Sequence, residues 1–210
     1  MKNIAIKRFT VIPAISLSIF YFSTGLSVQV PSTLPEIPCS PTQTFLDIDS
    51  LEVVSQCSIA ANLHWILAWG KAGNYILVRQ GENTIIRRSH EESEEGHIIR
   101  SKFYQSKKEG LYYILSVFGM EDGDISLKVY SLEGRILRYF GQISALTLDA
   151  DREYTYVPIE NIELIEKQAE QLDILFPDEE YEIWRKATPE RWKGPLQYRL
   201  KEGQIFRHDQ

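Results

Sequence analysis

The chain has 210 residues, of which 23 are basic and 29 acidic, giving a formal net charge of −6. This length is enough for one well-buried core but short for two comfortable domains, so we expect one domain. The negative charge disfavours binding to nucleic acid or to an anionic membrane surface. Hydrophobic residues make up 43% of the chain and aromatic residues 11%, a composition that folds rather than stays disordered.

The first thirty residues predict export from the cytoplasm. Three basic residues and no acidic residue precede an apolar run from Phe9 to Phe22, and small residues follow. This is the order of a signal peptide, which we place at residues 1–27. The alternative is an uncleaved anchor over residues 9–30, which would then be the sole membrane contact. Either way the body is expected to be extracytoplasmic, that is, periplasmic or secreted. Cleavage would leave a mature net charge of −9, because residues 1–27 carry three basic residues and no acidic one.

A proline-rich stretch follows the apolar run. Four prolines lie between Val30 and Pro41, a composition that favours extended backbone over helix or central strand. We therefore assign residues 28–43 to an N-terminal arm and residues 44–210 to a single β-rich domain.

The two cysteines of the chain, Cys39 and Cys57, both lie in the part expected outside the cytoplasm. In an oxidising compartment they can pair, and closing this short loop would stabilise the fold by about 3 kcal/mol. The alternative is two independent buried thiols. We predict the disulfide, since no third cysteine competes and the bond would tether the arm to the core.

The central part of the chain alternates strand-like runs with turn residues. The short connections join antiparallel neighbours, which predicts a meander of six or seven strands. The apolar run from Ser58 to Trp69 taken alone fits either a buried helix or a buried strand. The strand-like segments are His64–Trp69, Asn74–Arg79, Thr84–Ser89, His97–Gln105, Leu111–Phe118, Ile125–Ser131 and Arg135–Gln142.

Beyond Pro158 the apolar residues recur at helical spacing. The pattern predicts one helix ending before Pro177 and a second over Asp178–Ala187, with a closing hairpin around Glu202 and Gly203. The residues that set this spacing are Ile162, Ile165, Ala169, Leu172 and Phe176. The predicted fold class is therefore α+β, mainly β: an antiparallel meander sheet, sandwich- or barrel-like, with one or two C-terminal helices and a closing hairpin.

Three short segments resemble one another: Glu82–Arg87, Glu133–Arg138 and Glu202–Arg207. Each has Gly or Asn in second place, the residues that tolerate the positive φ of a tight hairpin turn. A repeat architecture needs a fixed period, which these segments lack. We interpret them as hairpin chemistry used three times, with a degenerate propeller-type repeat as the alternative.

Two loops carry residue types that bind metals. His90 and His97 bracket four glutamates, but the spacing fits no metal motif and is typical of a solvated hairpin tip. A second loop resembles a calcium-binding loop but has Tyr154 where that loop needs glycine. Its acidic residues are Asp149, Asp151, Glu153 and Glu160. We predict neither a metal ion nor another cofactor.

The sequence carries none of the motifs of nucleophilic catalysis, phosphate binding or dinucleotide binding. The candidate binding face consists of aromatic and arginine residues on predicted strands, although such aromatics are also typical of a sheet core. Its residues are Trp65, Trp69, Tyr112, Tyr130, Arg135 and Arg138. We predict a non-enzymatic binding or interaction module for an envelope protein or a glycan. The alternatives are an envelope hydrolase that uses unpatterned carboxylates, and a periplasmic inhibitor or immunity-type protein with an acidic surface.

Overall fold

The computed structural model describes residues 32–41, 51–71, 73–88, 97–120, 123–148, 155–168, 171–185 and 188–208. Nearly all of these residues lie in antiparallel strands, which form three sheets. The prediction of a mainly antiparallel β fold is confirmed. The sheets are open and not closed into a barrel.

The N-terminal arm contributes one two-residue strand to each sheet. These strands are β1 (Ser32–Thr33), β2 (Glu36–Ile37) and β3 (Ser40–Pro41). The extended backbone expected from the prolines is therefore present in this part of the arm. The predicted disulfide between Cys39 and Cys57 is confirmed, with a Cα–Cα distance of 5.3 Å.

The N-terminal sheet is a four-strand meander that β3 extends at its first strand. The meander strands are β4 (Glu52–Ala60), β5 (Leu63–Gly70), β6 (Gly73–Gln80) and β7 (Asn83–Arg88). The ambiguous run from Ser58 to Trp69 is therefore strand, interrupted by a turn at residues 61 and 62.

The middle sheet has the same construction, with β2 added to its first strand. Its meander strands are β8 (His97–Gln105), β9 (Leu111–Met120), β10 (Gly123–Glu133) and β11 (Ile136–Ile143). The strands predicted in this region are thus present, each within a few residues of its expected bounds.

The C-terminal sheet is larger because its second strand is long. It begins with β12 (Ala145–Leu148), β13 (Thr155–Tyr156) and a 3₁₀ turn (Ile159–Asn161). Its meander consists of β14 (Glu163–Gln168), β15 (Gln171–Arg185), β16 (Thr188–Lys201) and β17 (Gln204–Arg207), with β1 added to β14. The first half of β15 pairs with β14 and its second half with β12.

The three sheets stack in chain order, with the middle sheet covered on both faces. On one face, Trp65 of the N-terminal sheet packs edge-on against Phe103 and Tyr130, with ring centroids 6.0 Å apart in each case. On the other face, Tyr113 belongs to a core that it shares with Leu172 and other residues of the C-terminal sheet. Burial on both faces explains why β9 is apolar at nearly every position instead of at alternate ones.

The two predicted C-terminal helices are wrong, because residues 163–168 and 171–185 are strands. The apolar residues of this region fit the two-residue period of a strand as well as the period of a helix. Leu172, Ile174 and Phe176 occupy alternate positions of β15 and are buried, as is Leu164 on β14. Pairing with β16 over nearly the whole of β15 buries this apolar face and satisfies the backbone at the same time. The closing hairpin is present as β16 and β17.

The three similar sequence segments occupy the same position in the three meanders. Each spans the turn between the third and fourth strand: β6 to β7, β10 to β11, and β16 to β17. Their unequal spacing along the chain reflects unequal strands and connections, not different positions in the sheet. The same hairpin chemistry is thus used at the same turn of three four-strand meanders.

Candidate ligand-binding groove

The structure separates the residues of the candidate binding face. Trp65 and Tyr130 are 2% and 1% exposed, so they belong to the core between two sheets. Tyr112 is partly buried, while Trp69, Arg135 and Arg138 are exposed. Trp69 and Arg135 lie at opposite ends of the stack, because one borders a second-to-third strand turn and the other a third-to-fourth strand turn.

The last residues of the second strands and the first residues of the third strands lie at one end of the stack, which we call the upper rim. One small cavity joins Trp69 and Asn74 of the N-terminal sheet to Ile98 of the middle sheet. A larger cavity joins Met120 of the middle sheet to Trp184 of the C-terminal sheet. The three sheets therefore present the same end of their meanders to solvent here.

Equivalent positions on the upper rim carry two exposed tryptophans and one glycine. Trp69, Gly119 and Trp184 are each the penultimate residue of the second strand of a meander. Trp69 is 43% exposed and Trp184 is 44% exposed. A side chain at Gly119 would collide with the backbone of the neighbouring strand, since an added Cβ would lie 2.6 Å from the Gly123 oxygen.

Two open cavities flank Trp184. The first has a volume of about 390 Å³ and lies between the middle and C-terminal sheets; its lining residues are Met120, Gly123, Asp124, Ile125, Ser144, Leu146, Glu182 and Trp184. The second has a volume of about 370 Å³; its lining residues are Gln142, Ile143, Ser144, Ile183, Trp184, Tyr198, Ile205, Phe206 and Arg207. Trp184 and Ser144 line both, so we treat the two cavities as one groove, the Trp184 groove.

Strand alternation makes the two halves of the groove chemically different. Successive side chains of a strand point to opposite faces, so Glu182 lines the first cavity and Ile183 the second. The first half is anionic and apolar. The second half is mainly apolar and aromatic, with Phe206 52% exposed, and it also contains the cationic Arg207. Trp184 stands at the end of β15, where its indole borders both halves.

The carboxylates of the first cavity have different environments. Asp124 Oδ2 accepts hydrogen bonds from the Arg100 guanidinium and from the backbone N–H of Val157, both at 2.8 Å. The bond from Val157, which follows β13, joins the middle sheet to the C-terminal sheet, while the bond from Arg100 lies within the middle sheet. The Glu182 carboxylate accepts no hydrogen bond from any backbone or side-chain group that the structure describes. Its carboxylate is the acceptor more open to a ligand.

The part of β15 that precedes Trp184 is packed into the core. Tyr181 is fully buried, and its hydroxyl donates a 2.6 Å hydrogen bond to the Pro177 carbonyl. Burial raises the pKa of Tyr181 well above its usual value, and the nearby Glu179 acts in the same direction. The Tyr181 and Phe176 rings also pack edge to face, with centroids 5.8 Å apart.

The structure gives no support to a metal site within its described part. No group of three or more His, Cys, Asp or Glu side chains that could hold an ion occurs among those residues. The histidine loop at residues 90–96 and the acidic loop at residues 149–153 lie outside the described residues. Glu160 is described, and its carboxylate forms a 2.8 Å ion pair with Lys102.

Sequence reasoning did not select Asp124, Ser144 or Glu182. Their proximity arises where the middle sheet meets the C-terminal sheet, which no local pattern specifies. One signal was present: in residues 180–184, Glu180, Glu182 and Trp184 alternate with Tyr181 and Ile183. This alternation is typical of a half-buried strand.

The fold and the groove define a stack of three four-strand meanders with an aromatic, partly acidic groove at one end. The disulfide indicates an oxidising, extracytoplasmic compartment. Among the described residues, no helix has the length and apolar character needed to cross a membrane. No protein-family model, curated protein or solved structure matches the chain.

Proposed function

We propose that this protein is an exported binding module of the cell envelope, periplasmic or secreted, that holds a glycan or protein partner in the Trp184 groove without catalysis. The observation that carries the proposal is the exposed Trp184 indole shared by two open cavities of about 390 and 370 Å³. Volumes of this size suit a small ligand or one or two sugar units.

The lining chemistry favours a glycan segment as the occupant. An exposed indole offers a flat apolar surface for the C–H face of a sugar ring, and its solvent-accessible edge remains wet. The Glu182 carboxylate and the Ser144 hydroxyl can hydrogen-bond sugar hydroxyls at the walls. A concave groove with a few polar groups is typical of a small-ligand site, whereas a protein partner usually needs a flatter surface.

The net charge of −9 expected for the mature chain bears on the alternative partner. If the partner is a protein, a basic one is favoured by charge complementarity. If that basic partner is a toxin, the protein would act as an inhibitor or immunity-type protein.

The test is titration calorimetry of the full chain with soluble oligosaccharides of neutral, acidic and amino sugars. Trp184→Ala should weaken binding by about tenfold or more, because the stacking surface is lost. Trp69→Ala is the matched control: this indole is equally exposed and occupies the equivalent position, but its cavity measures only about 10 Å³. Equal losses in both variants, or an absence of oligosaccharide binding, would contradict the glycan proposal. Capture of a basic protein that depends on Trp184 would then identify the partner class.

One observation favours a hydrolase as the second candidate. Asp124 and Glu182 line the same cavity, and glycoside hydrolysis uses a pair of carboxylates. Asp124 is engaged by Arg100 and Val157, which leaves Glu182 without an equally open partner. Hydrolysis of a bound oligosaccharide that Glu182→Gln abolishes without weakening binding would establish the enzyme.

A further inference from the structure

The N-terminal arm pairs with the first strand of every meander. Ser32 and Thr33 pair with β14, Glu36 and Ile37 with β8, and Ser40 and Pro41 with β4. These are the edges at which each meander begins, and each would present unpaired backbone groups without the arm. In the described part of the chain, no other segment pairs with strands of all three sheets.

Noncovalent contacts along the arm are specific but few. Leu34 is 4% exposed in the core between the middle and C-terminal sheets, and its N–H donates a 2.7 Å bond to the Leu164 carbonyl. The Gln105 N–H donates to the Pro35 carbonyl at 3.4 Å. Glu36 pairs at 2.8 Å with Lys102.

Beyond these contacts, few interactions offset the conformational entropy that the arm loses when it docks. Each pairing is two residues long, prolines supply no N–H donor, and the side chains of Ser32, Thr33 and Glu36 are exposed. The covalent bond from Cys39 to Cys57 on β4 therefore dominates the equilibrium between docked and released arm, with a contribution on the order of a hundredfold.

We propose that residues 32–41 are a strap latched by the disulfide, and that reduction of Cys39–Cys57 releases the arm from all three sheets together. A small dithiol is the reductant: one thiolate attacks a cysteine sulfur, and the second thiol resolves the mixed disulfide. Two electrons and two protons pass to the protein, which ends with two thiols, while the reductant becomes a cyclic disulfide. The freed edges of β4, β8 and β14 can then accept an added strand.

Hydrogen exchange of the full chain, oxidised and after reduction with dithiothreitol, tests the strap. The Leu34 amide and the Gln105 amide should exchange about tenfold faster or more after reduction, since both lose a bond between arm and sheet. Amides of the central strand β9 should keep their protection. A Cys39→Ser, Cys57→Ser double variant should exchange like the reduced protein, with no further response to the reductant.

Glu36→Gln is the matched control, since it removes the ion pair to Lys102 and leaves intact both the disulfide and the pair between Lys102 and Glu160. If it frees Leu34 and Gln105 as much as reduction does, the disulfide is not the latch. Faster exchange confined to β3 and β4 would show a local bond and overturn the strap. Equal loss of protection in β9 would show global unfolding and overturn it as well.

Discussion

Replacing Asp173 by asparagine should destabilise the protein at neutral pH and much less in acid. Asp173 is 3% exposed on β15, and its Oδ1 accepts a 2.7 Å hydrogen bond from Arg199 Nε. Lys167 Nζ lies 2.7 Å from the other carboxylate oxygen. Burial by itself would raise the pKa of Asp173, but the hydrogen bonds from Arg199 and Lys167 outweigh it and hold the pKa below its usual value.

The size of the effect follows from the exposure of the partners. Removing one member of a fully buried ion pair costs about 3–5 kcal/mol because the remaining charge is left unpaired. Here the Arg199 and Lys167 side chains are 32% and 41% exposed, so water recovers part of that loss. We therefore expect Asp173→Asn to lower the free energy of unfolding by about 2 kcal/mol at pH 7.

The pH dependence fixes the cause of the loss. A carboxylate with a depressed folded pKa stabilises the protein fully above its unfolded pKa of about 4, and this stabilisation disappears as pH falls through the folded pKa. Urea denaturation at pH 7 and at about pH 2 should thus show a difference between wild type and Asp173→Asn that largely vanishes in acid. Glu202→Gln is the control, since Glu202 is 82% exposed in its pair with Lys201 and should change stability little. An Asp173→Asn loss of equal size at both pH values would refute the electrostatic account.

Two further predictions concern packing. Trp65→Ala should lower the free energy of unfolding by about 3–5 kcal/mol because it opens a cavity between two sheets, whereas Trp184→Ala should cost less than about 1 kcal/mol. Chemical denaturation measures both, and similar losses would contradict the assignment of Trp65 to the core. Gly119→Ala should cost about 1–3 kcal/mol by overpacking, since the added Cβ would lie 2.6 Å from a backbone oxygen. Gly134→Ala, at φ +55° with nothing within 4 Å of its Cβ, should cost only about 1 kcal/mol, and a reversed order of these two glycine variants would be inconsistent with the described rim.

The strands of the first two sheets could be predicted from sequence because local chemistry determines them. Turn residues such as Gly81 and Gly134 adopt positive φ in the structure, and the runs between them are rich in β-branched and aromatic side chains. The disulfide was also predictable, since two cysteines in a chain that the sequence predicts to be exported leave only one pairing.

The C-terminal region could not be assigned from periodicity alone. Its apolar residues fit both a helix and a strand, and the choice depends on β16, which pairs with β15 from Leu172 to Arg185. The proline at Pro177 resembled a helix stop but lies at an irregularity in the pairing of β15 with β16. Long-range pairing thus decided what the local pattern left open.

The groove itself could not be predicted from the sequence. Residue type selected Trp65 and Tyr130 as candidates, yet their burial follows from the way one sheet stacks on the next. Trp184 became a candidate only with the structure, since its exposure depends on its position at the rim. Side-chain type can be read from a sequence, whereas concavity arises from the packing of distant segments.

The three attachments of the arm also imply an order of folding. Pro41 pairs with Cys57, which is close in sequence, whereas Ser32 pairs with Glu166, which lies far along the chain. Loop closure over such a distance is slow, and it requires β14 to be formed first. The arm should therefore dock progressively, from its disulfide end backwards toward Ser32. The arm leaves the ribosome before the three meanders, yet its residues would be among the last of the described ones to reach their native positions.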